Sequence, residues 1–315
     1  MSPPQSPFQT HELRGMHAAT IVPMRPDFSI DEPALARHIA EVSHTLGIRG
    51  LLVNGHAGEN FVLDSNEKQR VVEIARAESP RGCLICSGVN AESSLQAAED
   101  ARRAEKAGAD LLLLFPPNSF ALGHDLRAEG LHQQHVLAAT TLPVLLYGAP
   151  VGAGAMAYGP DQLRILAAEP RVIGIKEGSW EVAAYEANRR LLKSLRPDFV
   201  VMGSGDEHLL TSYIVGSEGS QVSLAAVAPR LCADFFAAAD GQDWAEAQAL
   251  HQRIYPLARA IYRDAPGGRA TARLKACLYL LGRGGAPIVR PPQPVVTEAE
   301  IRSLTAALQA SGLTG

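Results

Sequence analysis

A chain of 315 residues, 46% hydrophobic and 20% charged, has the length of one α/β barrel of about 250 residues plus an appendage. Its formal charge of −4 leaves no basic footprint, which sets nucleic acid aside as a partner. No apolar run approaches the ~20 residues that cross a bilayer, and four cysteines are too few for a disulfide scaffold of this size.

Residues 1–14 read as a polar arm without an apolar signal core, so the expected location is the cytoplasm. A first strand is expected over 17–22. The helix after it, 31–46, has start signals in Ser29 and Asp31 before Glu32-Pro33 and stops at Leu46-Gly47. Strand 50–54 follows, then a loop, then a helix over 65–77 opened by Ser65 and Glu67. Strand 84–89 is preceded by Cys83 and contains Cys86. Positions i and i+3 of a strand face opposite sides, so this CxxC suits neither a shared metal nor a redox pair, and both read as core cysteines. Helix 91–107 ends at Gly108, and strand 109–115, helix 126–140 and strand 142–147 come next. The last barrel strands are expected over 172–176, 199–203 and 219–223, with a helix over 180–195. Most strands are near-continuous leucine or β-branched runs, as strands buried on both faces should be.

After Pro229 the chain reads as helical over 244–262, 270–281 and 297–310. The alternation predicts a closed (β/α)8 TIM barrel over 15–240, with C-terminal helices over 241–315 packed on it or on a neighbouring subunit. An open doubly wound sheet is the competing α/β arrangement.

Only five of the 29 basic residues are lysines: Lys68, Lys106, Lys176, Lys193 and Lys275. Four lie in polar or helical segments and read as solvated stems. Lys176 instead closes the apolar strand Val172-Ile173-Gly174-Ile175. Burial there disfavours the ammonium, and the neutral amine is a nucleophile. Carboxyl ends of barrel strands are also where active sites sit. The bland alternative is an ion pair with Glu177. Tyr147 closes the preceding strand, where a phenol beside a carbinolamine-forming lysine can shuttle protons. The loop Asn54-Gly55-His56-Ala57-Gly58-Glu59 follows the second strand, and its backbone N–H groups can converge on a carboxylate.

These elements, in this order, resemble the dihydrodipicolinate synthase / N-acetylneuraminate lyase family of class I aldolases. The resemblance extends from about Gly15 to near the C-terminus. It is carried by Ala18-Ala19-Thr20-Ile21-Val22-Pro23, by Gly55-His56-Ala57-Gly58-Glu59 for the family's G-x-x-G-E, and by Tyr147-Gly148-Ala149-Pro150 for its Y-x-x-P. Gly174-Ile175-Lys176-Glu177, Ser204-Gly205-Asp206, Gly219-Ser220-Gln221-Val222-Ser223 and Val227-Ala228-Pro229 complete the set. The resemblance implies a homotetramer or dimer of dimers without metal or organic cofactor, acting on a small 2-oxo acid such as pyruvate. It makes Lys176 the Schiff-base lysine, Tyr147 the proton-relay tyrosine, and the backbone N–H groups of His56 and Ala57, framed by Gly55 and Gly58, the carboxylate cradle. Gln221 falls where the family usually lends a backbone carbonyl to the pyruvate pocket.

Three departures stand out. Ala57 replaces a hydroxyl donor to the carboxylate, residues 115–120 lack the tyrosine that synthases lend to a neighbouring subunit, and Gly152 stands in place of the arginine that grips the second substrate. The expectation is therefore an aldolase or dehydratase with a roomy distal pocket. The alternatives are 4-hydroxy-tetrahydrodipicolinate synthase and a non-catalytic 2-oxo-acid-binding paralogue. His56 reads either as a substitute proton relay touching Tyr147 or as a pocket wall. His132 and His135 read as a solvated helix face, and Ser204 to Glu207 as the cap of the helix after the seventh strand.

Overall fold

The computed structural model describes residues 10–263 and 267–313. Residues 1–9 of the expected polar arm lie outside the described residues, while Thr10–Leu13 form a 3-10 turn that buries Leu13 completely. Eight strands follow: β1 (Gly15–Ala19), β2 (Ile48–Val53), β3 (Leu84–Val89), β4 (Leu111–Leu114), β5 (Val144–Gly148), β6 (Val172–Glu177), β7 (Val200–Gly203) and β8 (Gly219–Val222). All pair in parallel and in chain order, and β8 returns to β1, with Met16 opposite Ser220 and His17 opposite Gln221. This closure is the expected barrel and removes the open-sheet alternative.

Helices α1 (Glu32–Ser43), α2 (Ser65–Glu78), α3 (Ser94–Ala107), α4 (Leu126–Ala139), α5 (Pro160–Ala167), α6 (Val182–Leu195), α7 (Leu209–Ile214), α8 (Leu224–Val227) and α9 (Pro229–Asp240) cover the barrel. The capping chemistry is visible in the sequence. Asp31 accepts the Ala34 N–H at 3.1 Å, and Gly108 stops α3 in a left-handed conformation. At α2 the cap is Asp64, not Ser65: its carboxylate accepts the Glu67 N–H at 2.9 Å, while the Glu67 carboxylate accepts the Asp64 N–H at 3.0 Å. Helices α5, α7 and α8 run 8, 6 and 4 residues, too short for a 3.6-residue period to register.

The appendage holds α10 (Trp244–Ala258), α11 (Ala270–Leu280) and α12 (Glu298–Ala310). Between α10 and α11 the chain makes a π-helical turn over Arg259–Arg263. Glu300 of α12 accepts from Arg269 Nε at 2.7 Å and Arg273 Nε at 3.0 Å, which ties the appendage together. Among the described residues no helix is long and apolar enough to cross a membrane.

Candidate active site

Side chains alternate along a strand, so Lys176 and Glu177 face opposite sides of β6. Glu177 turns outward, accepting from Asn188 of α6 at 3.0 Å and from the Ser179 hydroxyl at 2.9 Å. Lys176 turns inward, and it has no ion-pair partner among the described residues. Burial pulls its ammonium down from 10.5 to about 8, opposed by the field of Asp206. The register of β5 and β6 sets Tyr147 opposite Lys176, and the lysine Nζ lies 5.9 Å from the centre of the phenol ring. Burial raises the Tyr147 pKa, so the phenol keeps its proton.

Both groups face a cavity of about 480 Å³ at the carboxyl end of the barrel. His56 and Ala57 line it from the loop after β2. There His56–Gly58 form a single 3-10 turn, and the left-handed residues are Asn54 (φ 54°) and Glu59 (φ 57°), not the two glycines. The N–H groups of Gly58, Glu59 and Asn60 bond within the loop, while those of His56 and Ala57 meet no acceptor among the described residues. Two free donors at the start of a turn suit an anion. The His56 ring is packed at 4.6 Å from both Phe61 and Phe115 and meets the Tyr147 ring edge-on at 5.0 Å. Burial, with Lys176 adding to it, lowers its pKa to about 3, so the imidazole is neutral near pH 7. Gln221, fully buried, lines the same cavity; among the described residues its amide has no partner beyond a contact with the Cys86 thiol.

Several expectations are corrected. Lys68 is buried and bonds Asp100 at 2.9 Å and the Asn90 carbonyl at 3.1 Å. Lys275 is buried against Glu59 and donates to the Ile288 carbonyl at 2.7 Å. Neither is a solvated stem, because each sits where two elements pack, which spacing along one helix does not show. His132 is likewise buried, with Nδ1 3.0 Å from the Ser94 hydroxyl across the α3–α4 contact. Asp206 does not cap α7. It accepts the Leu224 N–H of α8 at 3.0 Å and faces the cavity, where burial raises its carboxyl to about 6.

Sequence reasoning places the backbone N–H groups of the Ser204 segment toward the pocket but reads its side chain as a cap, and it misses Ser223, Trp180 and Tyr262 as cavity residues, yet all four line it. Ser204 and Ser223 follow the last residues of β7 and β8, so the strand-end rule that selects Lys176 reaches them too. Tyr262 comes from the π-turn of the appendage, its hydroxyl 2.6 Å from Ser223 and hydrogen-bonded to Asp206. π-turns recur at functional sites, but nothing local in the sequence marks this one.

The sequence model of the Dihydrodipicolinate synthetase family matches residues 12–311. The chain belongs to this family. It is 31% identical over 307 residues to 4-hydroxy-tetrahydrodipicolinate synthase of Agrobacterium fabrum, covering 96% of this chain and 99% of that protein. It is 29% identical over 303 residues, at the same coverage, to the enzyme of that name from Methanothrix thermoacetophila. Among solved structures, dihydrodipicolinate synthase from Agrobacterium tumefaciens superimposes with a TM-score of 0.85 at 25% identity, over 96% of this chain and 99% of the other. A prophage protein of the dihydrodipicolinic acid synthase family from E. coli K12, solved with pyruvate, gives 0.87 at 24% identity over the same shares. That second likeness shows a common fold. As a family member, the chain is an enzyme of the class I aldolase type.

Proposed function

We propose that the chain is a Schiff-base-forming lyase acting on a 2-oxo acid, with Lys176 as nucleophile and Tyr147 as proton relay. The observation that carries this reading is an inward-facing lysine with no ion-pair partner among the described residues, 5.9 Å from a buried phenol ring, in a cavity that also holds two free backbone donors. With a pKa of about 8, roughly a tenth of Lys176 is neutral near pH 7. The amine adds to the C2 carbonyl, and the carbinolamine loses water to give an iminium. Tyr147 supplies and takes back the protons of that exchange. The C4 hydroxyl then gives its proton to a base, the cation accepts the electron pair of the breaking C3–C4 bond, and an aldehyde leaves. The enamine left behind is protonated at C3, and water frees pyruvate and the amine. Dehydration starts from the same iminium, with a proton leaving C3 and hydroxide leaving C4.

In this scheme the His56 and Ala57 N–H groups hold the substrate carboxylate between Gly55 and Gly58, and Gln221 presents its amide from below. The neutral, tightly stacked His56 ring supports a wall in preference to a proton carrier. The names of the relatives favour the synthase alternative. Opposing it, Gly152 has no side chain to grip a second carboxylate, and the cavity lining holds no arginine among the described residues. A cytoplasmic homotetramer is part of the proposal; exposed Leu122, Leu126 and Val151 near the two 3-10 turns after β4 and β5 support association. The test is borohydride reduction with pyruvate, read by peptide mass. A carboxyethyl adduct on Lys176, absent from Lys176→Ala, is expected; an unmodified Lys176 at saturating pyruvate overturns the reading.

A further inference from the structure

Part of the cavity's polar lining lies on or just after the ends of β7 and β8: Ser204, Asp206, Gln221 and Ser223. The lining from loops and the appendage includes the apolar Phe61, Val62, Trp180, Leu274 and Pro292, and its polar Thr271 and Gln293 already donate to the His56 and Gly268 carbonyls. Among the described lining residues the only cation is Lys176, and of the two acids Glu59 is already paired with Lys275. A substrate tail carrying carboxylate or phosphate finds no counter-charge there, and a polyhydroxyl tail finds few partners beyond the strand-end groups.

Trp180 sharpens the point. It lies four residues after Lys176 and has φ 57°, a left-handed conformation that a bulky side chain rarely adopts. Such strain persists only where the surroundings enforce it, and it gathers at functional sites. Here it sets the indole on the cavity wall, 5.5 Å from the Tyr262 ring and 6.4 Å from His208. In the same lining, Phe61 stacks on His56 yet is 57% exposed.

From this we infer that the distal part of the substrate is an uncharged aryl group, so that the enzyme cleaves or forms a 4-aryl-4-hydroxy-2-oxo acid. The inference rests on the Schiff-base reading. The C4 oxygen falls beside the Tyr262, Ser223 and Asp206 cluster, and the ring lies against Trp180. Size agrees: a benzene ring fills roughly 150 Å³ of apolar cavity, well within the ~480 Å³ available. In the cleavage direction the C4 hydroxyl gives up its proton, the C3–C4 pair moves into the enamine, and an aryl aldehyde leaves. No oxidant or co-reactant is needed beyond the water that hydrolyses the iminium.

The experiment has two arms. Borohydride trapping with pyruvate alone tests the Schiff base; if it fails, the mechanism falls and this inference with it. If it succeeds, condensation of pyruvate with benzaldehyde, glyceraldehyde or succinic semialdehyde, read by product mass, tests the tail. Benzaldehyde is expected to exceed the other two by roughly ten-fold or more in kcat/KM. Trp180→Ala is expected to raise KM for benzaldehyde by roughly ten-fold, and Trp180→Phe to restore most of it. A trapping enzyme that prefers the charged or the polyhydroxyl aldehyde overturns the inference even if neither variant folds. So does a folded Trp180→Ala with an unchanged benzaldehyde KM.

Discussion

The lowered pKa of Lys176 has a thermodynamic signature that can be measured without substrate. In the folded chain its pKa is about 8 against an ordinary 10.5, and each pH unit of such a difference corresponds to ~1.36 kcal/mol. The native state binds the proton more weakly than the unfolded chain does. Below about pH 8 both states are protonated, and folding carries the whole desolvation cost of ~3 kcal/mol. Between about pH 8 and 10.5 the folded amine is already neutral while the unfolded one is still charged, so the cost shrinks as pH rises and vanishes above that window. Lys176→Met removes it. The variant should therefore be more stable than wild type by ~3 kcal/mol near pH 7 and by only ~1.4 kcal/mol near pH 9.5. At roughly 2 °C per kcal/mol for a chain of this size, the melting temperature rises by ~6 °C at the lower pH. Thermal unfolding followed at both pH values checks this. Because removal of the cation also lets the Asp206 carboxyl rise, the comparison is repeated in an Asp206→Asn background. A difference between wild type and the Lys176→Met variant that does not change with pH refutes the claim that Lys176 is desolvated.

In the proposed mechanism the same pKa governs the chemistry. Borohydride trapping at limiting pyruvate should accelerate with pH up to a midpoint near 8. Asp206→Asn removes the field that raises Lys176, so the midpoint should move to lower pH while the plateau rate falls, because the iminium loses its counter-charge; an unmoved midpoint contradicts the coupling. Lys275→Met strands the buried Glu59 carboxylate, with an expected loss of ~3–5 kcal/mol in unfolding free energy that Lys275→Met/Glu59→Gln recovers in part. Equal stability of the single variant and wild type in urea argues that water reaches the pair. His56→Ala should raise the pyruvate KM by loosening the Tyr147 contact while leaving the pH profile unchanged, since the imidazole, at about 3, does not titrate near neutrality. A lost limb in that profile assigns His56 a proton-carrying role instead.

The sequence makes legible whatever repeats along one strand or one helix. Lys176 is visible because a lysine closing an apolar strand breaks the pattern around it, and the strand's alternation decides between a cavity and Glu177. Tyr147 is visible because strand ends in a barrel share one face. Lys68, Lys275 and His132 escape such reading because their partners lie 32, 216 and 38 residues away, and helical spacing is silent about what faces a helix. Asp206 escapes it for a related reason: a serine–glycine–aspartate before a helix looks like a cap, and only the closed barrel shows that the helix it caps follows β8. Tyr262 requires both the π-turn and the placement of the appendage over the barrel mouth.

The appendage thus supplies part of the cavity wall. Asn54, a residue that tolerates the left-handed region, is tied by its amide to the Lys68 carbonyl at 3.0 Å, but Glu59 holds the other end of the loop in a left-handed conformation that a glutamate resists, and something outside the loop must keep it there. Helix α11 does so at two points: Thr271 donates to the His56 carbonyl at 3.2 Å, and Lys275 locks Glu59, whose other oxygen takes the Arg290 N–H at 3.0 Å. Just ahead of that helix, the π-turn delivers Tyr262 to Asp206 and Ser223. The barrel strands aim Lys176 and Tyr147, but the loop and the hydroxyl that the proposed mechanism assigns to the carboxylate and to the oxygen beyond C3 are contacted by helices that the barrel alone does not contain. Substitutions at the α11 contacts should consequently disturb substrate binding before they disturb the lysine, separating KM from the pH midpoint of trapping.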